Sequence, residues 1–252
     1  MSFKNAINYG VIPAAGAGKR MGYIGELLPK CLLPLGNQPI LHYVINQMEN
    51  IGVEKIFIII ENHKKKIRDY IESVKKDIKP EIFFVEQKEL NGTAAAILLI
   101  EQYIQEPFIC IWGDDFTMVD SLDGMVDLFF KTKAVVVKGM VQEDNIQILK
   151  DTCCAQLERD GRMIEIIDKP IDPPYKLRGC GVFIFSPEIF DYIRKTPLVK
   201  IKKILEIIPA VNLVAQDKKA YGYMLNGDNV NINNLDNLIE ANLLLRKHQK
   251  NK

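Results

Sequence analysis

From residue 9 to residue 112, short apolar runs alternate with stretches of helical spacing, and that alternation leaves few folds open. Residues 9–14 form the first strand candidate. Residues 40–51 follow with apolar side chains at helical spacing (Ile40, Leu41, Val44, Ile45, Met48, Ile51), and Gly52 suits the C-terminal cap. Residues 55–60 read as a strand, 64–75 as a charged helix, 81–85 as a strand, 93–103 as a helix and 108–112 as a strand. Strand–helix–strand units of this length make right-handed crossovers and a parallel sheet. The expected class is therefore α/β, a doubly wound, mostly parallel, Rossmann-like sheet with helices on both faces.

After about residue 130 the pattern changes. Residues 134–140, 153–157, 163–167 and 181–185 read as strands joined by turns, with Asp160-Gly161 a hairpin turn, so this half extends the sheet with antiparallel strands. Helices are expected over 187–192, 201–208 and 235–248. With no linker or repeat to divide it, the chain is expected to form one domain over 1–252. The 33 basic and 32 acidic residues nearly cancel, which argues against an extended nucleic-acid surface. Five scattered cysteines form no CxxC pair or zinc spacing and fit a reducing compartment. The first residues lack a secretory h-region, and no apolar run approaches the ~18 residues of a membrane span, so a cytoplasmic, membrane-free protein is expected.

The first strand ends in Pro13-Ala14-Ala15-Gly16-Ala17-Gly18-Lys19-Arg20, with Pro29-Lys30 further on. Small residues let a ligand approach the backbone, successive N–H groups make an anion-binding concavity, and the cations add charge. The combination points to a polyphosphate. A Walker loop is excluded, because Pro13 stands where its first glycine belongs and Arg20 where a hydroxyl should hold magnesium. Gly16, Gly18 and Gly22 give GxGxxxG, which misses the dinucleotide fingerprint.

The stretch from Gly10 to Leu41 resembles the sugar-1-phosphate nucleotidylyltransferases, or NDP-sugar pyrophosphorylases, which include glucose-1-phosphate thymidylyl- and uridylyltransferases. The resemblance rests first on Gly16-Ala17-Gly18-Lys19-Arg20, Pro29-Lys30-Cys31-Leu32-Leu33-Pro34-Leu35 and Gly36-Asn37-Gln38-Pro39-Ile40-Leu41. It continues, in the family's order, at Glu86-Gln87 with Gly92-Thr93-Ala94, at Gly113-Asp114, at Asp168-Lys169-Pro170 (Asp where the family has Glu) and at Arg178-Gly179-Cys180-Gly181.

The resemblance implies that a sugar 1-phosphate oxygen attacks the α-phosphorus of an NTP and expels pyrophosphate. Both reactants are anionic, so the site must neutralise charge and align them. By the resemblance, Ala14, Ala15, Gly16, Ala17, Gly18, Gln87, Gly92 and Thr93 bind the nucleotide. Arg20 steadies the leaving pyrophosphate and Lys30 bridges the α-phosphate and the attacking oxygen. Asp168, Lys169 and Gly181 hold the sugar phosphate. Residues 1–130 would then be the NTP half and 131–252 the sugar-phosphate half. The implied cofactor is Mg2+, held by Asp114; the family's second carboxylate is replaced by Asn231, and Asp228 is a candidate substitute. No general base is required, and His42, His63 and His248 stand in no catalytic setting. The implied partners are an NTP, with dTTP or UTP favoured, and a hexose 1-phosphate; no nucleic acid or membrane is involved, and a homo-oligomer is left open. Two alternatives stay open: a catalytically impaired nucleotide- or sugar-sensing subunit, and a transferase using CTP or GTP with another phosphorylated acceptor.

Overall fold

The computed structural model describes residues 6–16, 18–61, 65–198 and 204–250. The first half runs β1 (Tyr9–Pro13), α1 (Tyr23–Leu27), β2 (Pro34–Leu35), β3 (Gln38–Pro39), α2 (Ile40–Asn50), β4 (Lys55–Ile60), α3 (Lys65–Val74), β5 (Glu81–Glu86), α4 (Thr93–Leu98), β6 (Phe108–Ile111), β7 (Asp115–Val119) and α5 (Asp123–Thr132). The second runs β8 (Val136–Gln142), α6 (Ile146–Asp151), β9 (Cys153–Leu157), β10 (Met163–Asp168), β11 (Leu177–Phe185), α7 (Ile189–Lys195), α8 (Ile207–Gln216), β12 (Ala220–Met224), β13 (Gly227–Asn231) and α9 (Leu235–Lys250).

Among the described residues the main sheet has nine strands. Strands β5, β4, β1 and β6 lie side by side and parallel, with β1 between β4 and β6. Parallel strands covered on both faces need apolar side chains pointing both ways, and β4 supplies them from Ile56 to Ile60. Ile56, Ile58 and Ile60 enter one core with α2, while Phe57 and Ile59 enter the opposite core with α4. Gly10 lets α2 close on β1, since a Cβ there would stand 2.5 Å from Met48 Sδ.

Strand β11 joins this block to the second half. It pairs antiparallel with β6 through Val182–Phe185, with β9 through Leu177 and Arg178, and with β8 along its length. The expected hairpin is present as β9–β10, with Gly161 at φ 86° in its turn. The extension is not wholly antiparallel: β12 lies parallel to β8, and an Arg162–Tyr221 bridge links β10 to β12.

Several element boundaries differ from expectation. The helix expected over 93–103 stops as α4 at Leu98 and continues as turns. The helix expected over 201–208 is replaced by α8, which begins at Ile207; residues 201–203 lie outside the described residues. Pro209 occupies the first turn of α8, where a missing N–H costs nothing. Strands β7 and β13 pair antiparallel, with Asp115 opposite Asn231 and Met118 opposite Asp228. Asp-Phe-Thr-Met-Val and Gly-Asp-Asn-Val-Asn are too polar to show as apolar runs.

Candidate active site

The chain leaves β1 for β4 on one side and returns as β6 on the other, so the strand order reverses between β1 and β6. Ligands of open α/β sheets bind beyond the carboxyl ends of strands at such a point. Here the two strand ends are locked together. Ala14 N–H donates to Ile59 O at 2.8 Å, and Gly113 N–H donates to Pro13 O at 3.1 Å. A cleft of about 450 Å³ opens above them.

That cleft gathers most of the residues expected from the sequence. Ala14, Ala15, Gly16, Arg20 and Lys30 line one part, Gln87, Gly92 and Thr93 another, and Asp168, Lys169 and Gly181 a third, with Asp114 and Asn231 also in the wall. Ala17 lies outside the described residues. Gly18 does not line the cleft. It has φ 67°, its carbonyl accepts from Met21 N–H at 2.9 Å, and Gly25 packs against it. Asp228 is outside as well: three residues from Asn231 on a strand, it faces the other side, where it meets His248 Nε2 at 3.4 Å.

The centre of the site is a polar cluster drawn from three distant segments. Lys30 pairs with Asp114, and its Nζ also donates to Asn233 Oδ1 at 3.2 Å. Arg20 Nη2 donates to the same oxygen at 2.7 Å. Asn233 Nδ2 in turn donates to Asn231 Oδ1. Asn233 is thus a neutral post on which both cations are held.

Beneath this cluster Asp115 is 1% exposed and accepts from Gly181 N–H and from Thr117 Oγ1, each at 2.9 Å, as well as from Asn229 Nδ2. Asn229 accepts Arg178 at Oδ1 (2.8 Å) and at its carbonyl (2.9 Å), and Arg178 reaches Glu143 at 3.3 Å. Burial pushes the Asp115 carboxyl above its ordinary value, against the opposing pull of its donors. Gly181 is glycine for this reason: a Cβ would stand 2.7 Å from Asp115 Oδ2. The network ties β11 and β13 to β7, directly behind Asp114.

Lys169 has φ 44°, a left-handed conformation disfavoured for a side chain with a Cβ. Its N–H donates to Thr152 O at 2.7 Å, which fixes the turn that brings Lys169 to the cleft. Gly92 and Thr93 line the cleft but also serve the fold. A Cβ on Gly92 would lie 2.2 Å from Leu205 O, and the Thr93 hydroxyl donates to Glu206 Oε2 at 2.6 Å. Gln87, 6% exposed, donates from Nε2 to Asn91 Oδ1 (3.2 Å) and Gly92 O (3.3 Å).

The oxygen donors suit magnesium. Mg2+ takes one or two protein oxygens and completes its octahedron with phosphates and water. Asp114, whose carboxylate pairs here with Lys30, and Asn231, whose amide oxygen accepts from Asn233, are the two candidate oxygen donors in the cleft wall. No cluster of three or more His, Cys, Asp or Glu among the described residues could hold a metal alone. Cys153 and Cys180 line the cleft, but burial pushes both thiols up, away from the thiolate a nucleophile needs. His42 bonds Tyr70 Oη at 2.7 Å away from the cleft, and His63 lies outside the described residues.

Residues 9–248 match the nucleotidyl transferase family. The chain belongs to that family. It is 30% identical over 236 residues to the bifunctional protein GlmU of Methanocaldococcus jannaschii, which covers 93% of this chain and 53% of that protein. This nucleotidyl transferase therefore spans about half the length of that relative. It is 28% identical over 254 residues to a UTP–glucose-1-phosphate uridylyltransferase of Staphylococcus haemolyticus, covering 90% of this chain and 88% of that one. A crystal structure of UDP-glucose pyrophosphorylase complexed with UDP-glucose superposes with a TM-score of 0.87 at 26% identity, covering 96% and 99% of the two chains. A putative glucose-1-phosphate thymidylyltransferase from Bacillus anthracis shares the fold, with a TM-score of 0.85 at 22% identity over 94% and 95% of the chains. The doubly wound reading of the sequence is the fold these structures have. Among the described residues no helix is long and apolar enough to cross a membrane.

Sequence reading missed Asn233, Asn229 and Asp115 as organising residues. The Asn-rich run 229–234 was the available signal, but which of its amides faces the cleft depends on the β7–β13 register.

Proposed function

We propose that this nucleotidyl transferase joins a hexose 1-phosphate to an NTP, with dTTP or UTP as the nucleotide, and releases pyrophosphate. The observation that carries the reading is the Arg20–Asn233–Lys30–Asp114 cluster at the β1–β6 reversal, facing the Ala14–Ala15–Gly16 loop. The printed functions of the uridylyltransferase relative and of the UDP-glucose-bound structure support it. The bond formed runs from the sugar-phosphate oxygen to the α-phosphorus; the bond broken is that from the α-phosphorus to the pyrophosphate oxygen.

Residues 1–130 contribute the nucleotide half. Loop N–H groups at Ala15 and Gly16 wrap the triphosphate, and Arg20 offers its planar fork to the departing pyrophosphate. Gln87 and the Gly92–Thr93 turn face the base. Residues 131–252 contribute the acceptor half, with Lys169 on the sugar phosphate and Asp168 and Gly181 beside the sugar. Lys30 stands between the halves, where its ammonium can neutralise the α-phosphate and the incoming oxygen together. The attacking phosphate is already ionised, so no side chain has to take a proton. Asp114 and Asn231 would hold Mg2+, which supplies charge neutralisation on the phosphates. Five buried free cysteines support residence in a reducing cytoplasm.

The test is pyrophosphate release across four NTPs and a panel of sugar 1-phosphates, with and without magnesium. Magnesium-dependent release with a pyrimidine nucleotide and a hexose 1-phosphate is expected. Nucleotide binding without turnover for any pair would favour the sensing-subunit alternative instead.

A further inference from the structure

Lys138 is a charged side chain that the chemistry above does not use. It sits on β8 in the wall of the acceptor half of the cleft and is 2% exposed. Its Nζ donates to Cys180 O at 2.5 Å and lies 3.6 Å from the centre of the Phe183 ring. The fold makes room for it: a Cβ at Gly179 would stand 2.1 Å from Lys138 Cε, so glycine on β11 is the condition for lysine on β8.

The comparison with the neighbouring buried cation is instructive. Arg178 has Glu143 as its carboxylate and two oxygens of Asn229 besides. Lys138 forms no ion pair with any described residue. Asp115 is already occupied by Gly181, Thr117 and Asn229. An ammonium has three donors, and here the protein supplies one carbonyl and an aromatic face. Burial pushes the Lys138 pKa down, with no carboxylate among the described residues paired to it to offset that cost.

We propose that Lys138 is a specificity-determining residue of the acceptor subsite, and that the acceptor is a sugar 1-phosphate bearing a carboxylate on its ring. This rests on the transferase reading above and narrows its substrate class from hexose to hexuronate. A single ammonium matches a single carboxylate in charge. A second phosphate would bring more charge and more acceptor oxygens than one lysine can meet, and a neutral hydroxyl would leave the buried charge as it stands.

The test compares glucose 1-phosphate, glucuronate 1-phosphate and glucose 1,6-bisphosphate on the wild-type enzyme. Affinity is measured by calorimetry in the presence of α,β-imido NTP analogues, and turnover by pyrophosphate release with the four NTPs. The wild-type enzyme should favour glucuronate 1-phosphate by about tenfold or more in both, the size of effect expected of a desolvated charge-assisted contact. In Lys138→Met, which keeps the length and loses the charge, the preference should fall to within a few-fold of unity, with the melting curve confirming the fold. Lys138→Arg gives the reverse control of charge without the fit to Gly179, and should bind both acceptors weakly. A wild-type preference for glucose 1-phosphate or for the bisphosphate overturns the inference, whatever Lys138→Met does. Failure to bind any of the three overturns it too. Turnover separates the two readings: release with glucose 1-phosphate but not with glucuronate 1-phosphate leaves the transferase standing and removes only the carboxylate.

Discussion

Replacing Lys169 by glycine and by alanine separates what this residue contributes to catalysis from what it costs the fold. Lys169 has φ 44°, and left-handed backbone costs a residue with a Cβ roughly 1–2 kcal/mol. Alanine keeps that strain and removes the ammonium; glycine removes both. Against the relief, glycine adds roughly 0.4–1 kcal/mol of unfolded-chain entropy. The glycine variant should therefore be the more stable of the two by about 1 kcal/mol, a melting temperature about 2–4 °C higher for a chain of this size. Both variants should lose about 10²–10³ in turnover, as expected when one transition-state charge contact is removed. Thermal unfolding and pyrophosphate release on the same preparations give the two readouts. An alanine variant as stable as the glycine variant, or turnover within a few-fold of wild type in either, would refute the reasoning.

Lys30→Ala should lower kcat by about 10²–10³ while leaving the melting temperature nearly unchanged, because the released Asp114 is part-exposed and can hydrate; near-normal turnover would show that the lysine is not at the reacting phosphate. Asp115→Ala leaves three buried donors without their carboxylate, so a loss of about 3 kcal/mol or more is expected. That corresponds to a fall of about 6–12 °C in melting temperature, checked by calorimetry. Gly92→Ala drives a Cβ to 2.2 Å from Leu205 O at a positive φ, and should destabilise by about 2 kcal/mol or more as well as weaken nucleotide binding. Chemical denaturation and nucleotide titration would measure the two effects.

How much of this was legible in the sequence depended on where the information sat. Strand β4 was readable to its end residues, because after Lys55 five consecutive apolar positions buried on two faces leave no other pattern. Arg20, Lys30 and Asp114 were readable because fixed short motifs carry them. Asn233 was not, since its importance comes from contact with Arg20 and Lys30 some two hundred residues earlier. The polar ribbon β7–β13 escaped for a related reason: its strands are stabilised by side-chain hydrogen bonds through Asp115 and Asn229 rather than by apolar alternation. Lys138 carried no signal in the sequence and Gly179 only that of its motif; the close approach of Lys138 Cε to Gly179, where the β8–β11 register shifts, shows that one is small because the other is large.

The proposed reaction is attack on the α-phosphorus with pyrophosphate as the leaving group. It is tested most directly by phosphorus NMR of the wild-type reaction with a sugar 1-phosphate labelled with 18O at its phosphate oxygens. All label should stay with the sugar-linked phosphorus and bridge of the nucleotide sugar, and the pyrophosphate released should be unlabelled. Release of orthophosphate, or label appearing in pyrophosphate, would contradict it.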